Sequence, residues 1–218
     1  MPPQSNEEYC MPIFRFENRI LLFVHIPKTG GTSVEKMLKD AGGIKAMRSS
    51  AQIAGLPCTP QHFHAEITDQ LVPESFYDYA FTIVRNPFDR LMSEFKMRVL
   101  ENRRDVSFNI WIDRILTRYS RNPFANDNHI RPQTEFVFDS VQIFRFEDKP
   151  LLHIFDRLQA LGIGSATSIP WERRGATAEL TLSSRTADRI REFYAADFEA
   201  FGYRIDDYGP SLALDDSV

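Results

Sequence analysis

The chain has 218 residues, enough for one sizeable core and short for two domains of ordinary size. Hydrophobic residues make up 43% and charged residues 26%, with 18 Phe, which excludes a disordered chain and predicts a packed globular one. Lys and Arg number 26 against 30 Asp and Glu, a formal charge of −4, so a general nucleic-acid binder is excluded and any anion site is local.

The first segment, "MPPQSNEEYCMPIFRFENR", has acids where an export signal needs positive charge, and it lacks a continuous apolar core. The apolar run from Ile20 to Val24 is far below the roughly 20 residues that span a bilayer, so no transmembrane segment is expected. Cys10 and Cys58 cannot build a disulfide framework and have no partner at metal-finger spacing, which fits a reducing cytoplasm. A single domain over 1–218 is expected, with 1–13 and 211–218 as frayed ends.

"RILLFVHI" is an uninterrupted apolar run, as in a strand covered on both faces. The turn "PKTGGTS" follows, and a helix over 32–41 is predicted, with Val34, Met37 and Leu38 on one face, Thr32 and Glu35 at capping-box spacing, and Gly42-Gly43 as the stop. Within the ambiguous stretch 44–60, "IKAMR" reads as a short strand. "YAFTIV" at 79–84 repeats the buried-strand pattern and leads into "NPFDRLMSEFKMRVLENRR", where Pro87 opens a helix with Phe88, Leu91, Met92, Phe95 and Val99 on one face. Beyond it, a helix over 107–119, a strand over 136–146 and helices over 148–161 and 184–200 complete the pattern. Alternating strands and helices predict an α/β domain with a mostly parallel sheet, and ligands bind such sheets beyond the carboxyl ends of the strands, where both tight turns would lie.

The first turn has the makings of an anion cradle. Gly30 and Gly31 let backbone N–H groups approach a ligand, the helix start adds its positive dipole end, Lys28 adds a charge, and Thr29, Thr32 and Ser33 add hydroxyls. An ordinary strand-to-helix turn with Gly for geometry and Thr as a cap is the plainer alternative. The nucleotide loop G-x-x-x-x-G-K-[ST] is absent, because the lysine here precedes the glycines.

"HIPKTGGTS" after an apolar strand, with "TIVRNPFDRLMSEF" further on, resembles the two cofactor-binding signatures of the carbohydrate sulfotransferases. The likeness is to the branch of heparan sulfate 2-O-sulfotransferases and the chondroitin and HNK-1 enzymes, and it runs from about residue 20 to 205. It implies a P-loop-NTPase-like three-layer domain, a central sheet flanked by helices, and 3′-phosphoadenosine-5′-phosphosulfate (PAPS) as sulfuryl donor, with no metal. The resemblance sets Lys28, Thr29, Gly30, Gly31, Thr32 and Ser33 around the 5′-phosphosulfate, with Lys28 beside the bridging oxygen. It also sets Arg85 and Ser93 on the 3′-phosphate; these stand eight residues apart, a strand end and a point about two helical turns on, which can converge on one anion. Asp89 and Arg90 are read as structural, as an ion pair near the turn.

In "TPQHFHAEI", His62 and His64 form a His-x-His like that of the 2-O-sulfotransferase branch, whose second histidine resembles His64. That makes His64 the expected base, suited to proton transfer near neutral pH, with His62 orienting it or the substrate. Surface or structural roles, or metal ligation, are the alternatives for such a pair. "NHIRPQ" resembles the family's acceptor-side stretch and suggests His129, Arg131 and Gln133 as acceptor contacts; a loop fixed by Pro132 accounts for it equally well. Arg173 and Arg174 could close over the adenosine half of the donor or form a solvated pair.

The Golgi enzymes of the resembled family carry an anchor and luminal disulfides that this chain lacks, so the expected acceptor is a hydroxyl of a small molecule or a glycan, including a lipid-linked one, and no oligomeric state is implied. Competing readings are an ATP-dependent small-molecule kinase and a non-catalytic nucleotide-binding module.

Overall fold

The computed structural model describes residues 13–46, 53–102, 105–163 and 180–215. In chain order the elements are β1 (Ile13–Arg15), β2 (Ile20–Val24), α1 (Gly31–Asp40), β3 (Ile44–Lys45), α2 (Ala65–Leu71), β4 (Tyr79–Val84), α3 (Pro87–Phe95), α4 (Phe108–Arg121), β5 (Val141–Arg145), α5 (Pro150–Ala160), β6 (Leu180–Leu182), α6 (Ser184–Phe193), α7 (Ala195–Phe201) and β7 (Leu212–Leu214). The main sheet runs β3-β1-β2-β4-β5. Its centre is parallel, with Leu22 opposite Ala80 and Ala80 opposite Val141, while β1 pairs antiparallel with both β2 and β3.

The apolar runs of β2 and β4 are continuous because both faces of the sheet are covered. Leu21, Phe23, Phe81 and Ile83 pack with Val34, Met37 and Leu38 of α1 and Ile154 and Leu158 of α5. Leu22, Val24, Ala80 and Val84 face the opposite way, into a cluster with residues of α3, α4, α6 and α7. Three layers result: helices, a central mostly parallel sheet, helices.

Several boundaries differ from expectation. Of the ends expected to fray, Ile13 belongs to β1 and Leu212–Leu214 pairs in parallel with β6, while 1–12 and 216–218 lie outside the described residues. The segment 136–146 starts with a 3-10 turn, Gln133–Phe136, before the strand. The last helix is broken at Tyr194, whose buried hydroxyl donates to the Ile130 carbonyl at 2.6 Å. The capping box does not form: Gly30 is the N-cap with no side-chain cap, and Glu35 turns inward to His25 and Lys45. Burying a carboxylate requires partners, and these two fixed cations or donors outweigh the pull of the helix end.

Gly31 is dictated by space rather than by φ. A Cβ there would stand 2.1 Å from His25 Nε2. Gly31→Ala is expected to destabilise the fold by about 1–3 kcal/mol through displacement of the His25 ring, read as a lowered melting temperature.

Candidate active site

β2 and β4 end side by side and each feeds a tight turn and a helix, so residues distant in sequence meet at one edge of the sheet. Gly30 is left-handed at φ 89°, and more unusually so is Lys28 at φ 70°. A side chain held in that conformation costs of order 1–3 kcal/mol, which is the kind of strain that collects at functional sites. The conformation is held from across the sheet: Arg85 Nη1 donates to the Lys28 carbonyl at 3.2 Å. Lys28 is half-buried, and among the described residues its Nζ donates to the Met97 thioether at 3.3 Å, a weak acceptor. Burial pulls its pKa below the usual lysine value. The start of α1 has no side-chain cap, so helix N–H groups and the lysine face the same turn. Thr29 is fully buried and donates to the Ile26 carbonyl at 2.8 Å, whereas Thr32 is exposed and Ser33 is buried.

Arg85 stacks its guanidinium over Phe146, 4.4 Å from the ring centroid, and Ser93 is half-buried two turns into α3. Asn86 caps α3 through its bond from Phe88 N, with Pro87 in the first turn. Gln133, expected at the acceptor, is fully buried. Its amide brackets Arg85, accepting from Arg85 N at 2.9 Å and donating to Arg85 O at 2.8 Å, and it also donates to Asp197 at 3.2 Å. Arg90, expected in an ion pair near the turn, is 2% exposed and instead donates to the carbonyls of Pro27, Arg131 and His129 at 2.8–3.0 Å, joining the lysine turn to the 129–131 stretch.

Sequence reasoning missed a file of histidines beside the cradle. The rings of His25 and His62 lie 5.4 Å apart and those of His62 and His129 4.8 Å apart, each pair edge-on. Every member has a carboxylate at Nδ1: Glu35 at 3.0 Å, Asp127 at 2.7 Å and Glu94 at 2.7 Å. Burial pushes Glu35 and Glu94 upward, but the bonds from His25 and Lys45, and from His129 and Arg98, prevail and bring each down to about 2. Burial also depresses His62, and it takes His129 down to about 4 against the pull of Glu94. Gln61 ties the file to α1, donating to Glu35 at 3.0 Å and lying 2.8 Å from His25 Nδ1. Of these groups, His25 in "HIPKTGG" was the legible signal, since a histidine at a buried strand end needs a partner.

His64 differs. It is buried, it precedes α2 as its N-cap, and its Nδ1 has no hydrogen-bond partner among the described residues; Nε2 is 3.7 Å from the exposed Glu66. Its ring lies 5.7 Å from that of Phe124. Burial and then the nearby Arg131 charge lower its pKa. Arg131 is itself buried, bonded to Asn128 and Glu135 and placed over Phe124.

His62, Asp127 and His129 bring three potential metal-ligating atoms within 4.8 Å of one another. The set is a hydrogen-bonded cluster: Asp127 accepts from Thr59 N at 2.6 Å, from the Thr59 hydroxyl at 2.7 Å and from His62 Nδ1, and His129 Nδ1 is bonded to Glu94. Cys58 is inert, its thiol pushed up to about 12 by burial. Arg173, Arg174 and Cys10 lie outside the described residues.

The three-layer α/β domain thus sets a lysine-glycine turn and a second-strand arginine side by side at the carboxyl edge of its parallel strands, the edge where sheets of this kind bind ligands. The model for the Sulfotransferase family matches residues 11–204, and the chain belongs to that family. A sulfotransferase from Alicyclobacillus acidocaldarius, known from its crystal structure, is similar at 20% identity and a TM-score of 0.38, over 63% of this chain. The match spans 58% of that protein, less than two thirds of its length. No curated protein sequence matches the chain. No helix among the described residues is long and apolar enough to cross a membrane.

Proposed function

We propose that the chain transfers a sulfuryl group from PAPS to a hydroxyl of a small molecule or glycan. The observation that carries this reading is the 3.2 Å contact between Arg85 and Lys28: two segments that each resemble a donor-binding signature, 57 positions apart in sequence, meet at one edge. The residues fit such a donor, with an uncapped helix start and a weakly engaged lysine for the 5′ end, and Arg85 and Ser93 for the 3′-phosphate. Gln133 serves it at one remove, by bracketing the Arg85 backbone.

In this reading His64 accepts the proton of the acceptor hydroxyl as that oxygen attacks sulfur. The bond from sulfur to the bridging phosphate oxygen breaks, and Lys28 with the α1 amides meets the charge left on that oxygen. The unpartnered Nδ1 of His64 among the described residues supports its choice as base, because His25, His62 and His129 each already have a carboxylate at that atom. Arg131 stands beside it on the acceptor side. No metal is invoked.

Calorimetric titration with 3′,5′-adenosine bisphosphate, without metal and alongside ATP, tests the reading. The bisphosphate is expected to bind in preference to ATP, and Arg85→Ala to weaken it on the order of tenfold to a hundredfold by removing a charge-assisted pair. A preference for ATP, or binding indifferent to Arg85→Ala, would overturn the donor assignment.

A further inference from the structure

Residues Asn126, Asp127 and Asn128 are consecutive and all left-handed, at φ 56°, 58° and 62°. Asn and Asp tolerate this conformation better than other side-chain-bearing residues, yet three in succession accumulate strain that the surroundings must repay. The surroundings are the segment leading to His64. Asp127 takes the Thr59 N–H, the Thr59 hydroxyl and His62 Nδ1–H, and Asn128 donates to the His62 carbonyl at 2.8 Å and to Cys58 Sγ at 3.3 Å. From its other side Asn128 accepts from Arg131 Nε at 3.0 Å. The turn therefore grips residues 58–62 with one hand and Arg131 with the other, and His64 lies two residues beyond the grip.

Resting on the proposed role of His64 as base, we infer that Asp127, at the centre of this strained turn, is a positioning residue that sets His64 and Arg131 against each other. An unstrained turn would hold its own backbone more cheaply; three left-handed residues present two successive side chains, at 127 and 128, to the same short segment. Asp127 touches neither acceptor nor donor in this scheme and acts through Thr59 and His62.

Asp127→Asn is the sharpest variant. It keeps the shape, the left-handed backbone and an acceptor for Thr59 N–H, but removes the carboxylate that the Thr59 hydroxyl and His62 share. Turnover is expected to fall on the order of tenfold to a hundredfold, as for a displaced reacting group. Bisphosphate affinity should stay within about twofold, because the donor cradle is held by other contacts. A second readout needs no activity: titration of His64 by NMR. The charged groups around it are Glu66 on α2, Arg131 after the turn and Glu135 on the 3-10 turn. Its titration, depressed in the native protein, is expected to move up toward the ordinary histidine value in Asp127→Asn as the segment loosens. Unchanged His64 titration would overturn the inference, as would bisphosphate binding that falls in step with turnover. Should the native protein fail to bind the bisphosphate, the donor assignment falls alone, and the His64 titration still decides the positioning role.

Discussion

Lys28→Ala is expected to lower kcat on the order of 10²–10³-fold, the usual cost of removing one positive group from the place where transition-state charge develops. The fold should survive, because among the described residues the Nζ of Lys28 bonds only a thioether, and the strained carbonyl is held by Arg85 through the backbone. Turnover with PAPS and thermal unfolding, measured on the same preparation, check both halves. Lost activity with a native melting temperature is the expected pair. A native kcat would remove Lys28 from the leaving-group side, and a collapsed fold would mean that its role is structural.

His64→Ala is expected to lower kcat on the order of 10²–10⁴-fold with bisphosphate binding retained, since general-base catalysis contributes that much and the donor site lies on other elements. The pH profile carries a sign of its own. Burial and Arg131 disfavour the imidazolium, so His64 stays neutral to a lower pH than a free histidine, whose pKa is 6.5. The acid limb of kcat should therefore lie below that value, with activity persisting as pH falls through it. An acid limb above it, or wild-type kcat in His64→Ala, would assign the proton to another group, and His62, held by Asp127, would be the next candidate.

The parts of this molecule that were readable in one dimension are those whose physics is local. Ile20–Val24 and Tyr79–Val84 announce buried strands because they are short, mostly apolar runs without a charge, and Pro87 marks the start of α3 because its fixed φ suits a first helical turn. Short elements were less legible: β1, β3 and β7 have only two or three residues each and exist through pairing with neighbours rather than through a pattern of their own. Glu35 misled as a capping residue, since its spacing satisfies the local rule while its burial is set by His25 and Lys45 from outside the helix.

By itself, then, the sequence determined that this is an α/β chain with two strand-turn-helix signatures, and it pointed to Lys28, Arg85 and the His-x-His pair. The α/β pattern follows from periodicity within short windows, and the site residues from the resemblance of two short motifs to a known family's. Only the tertiary structure decided that Gln133 brackets Arg85, that Arg90 ties the lysine turn to 129–131, and that His25, His62 and His129 stand in file with three carboxylates. It alone put Lys28 and residues 126–128 in left-handed backbone. The reason is that a buried polar group must find partners wherever the fold supplies them, and those partners come from segments whose separation along the chain carries no signal of their meeting.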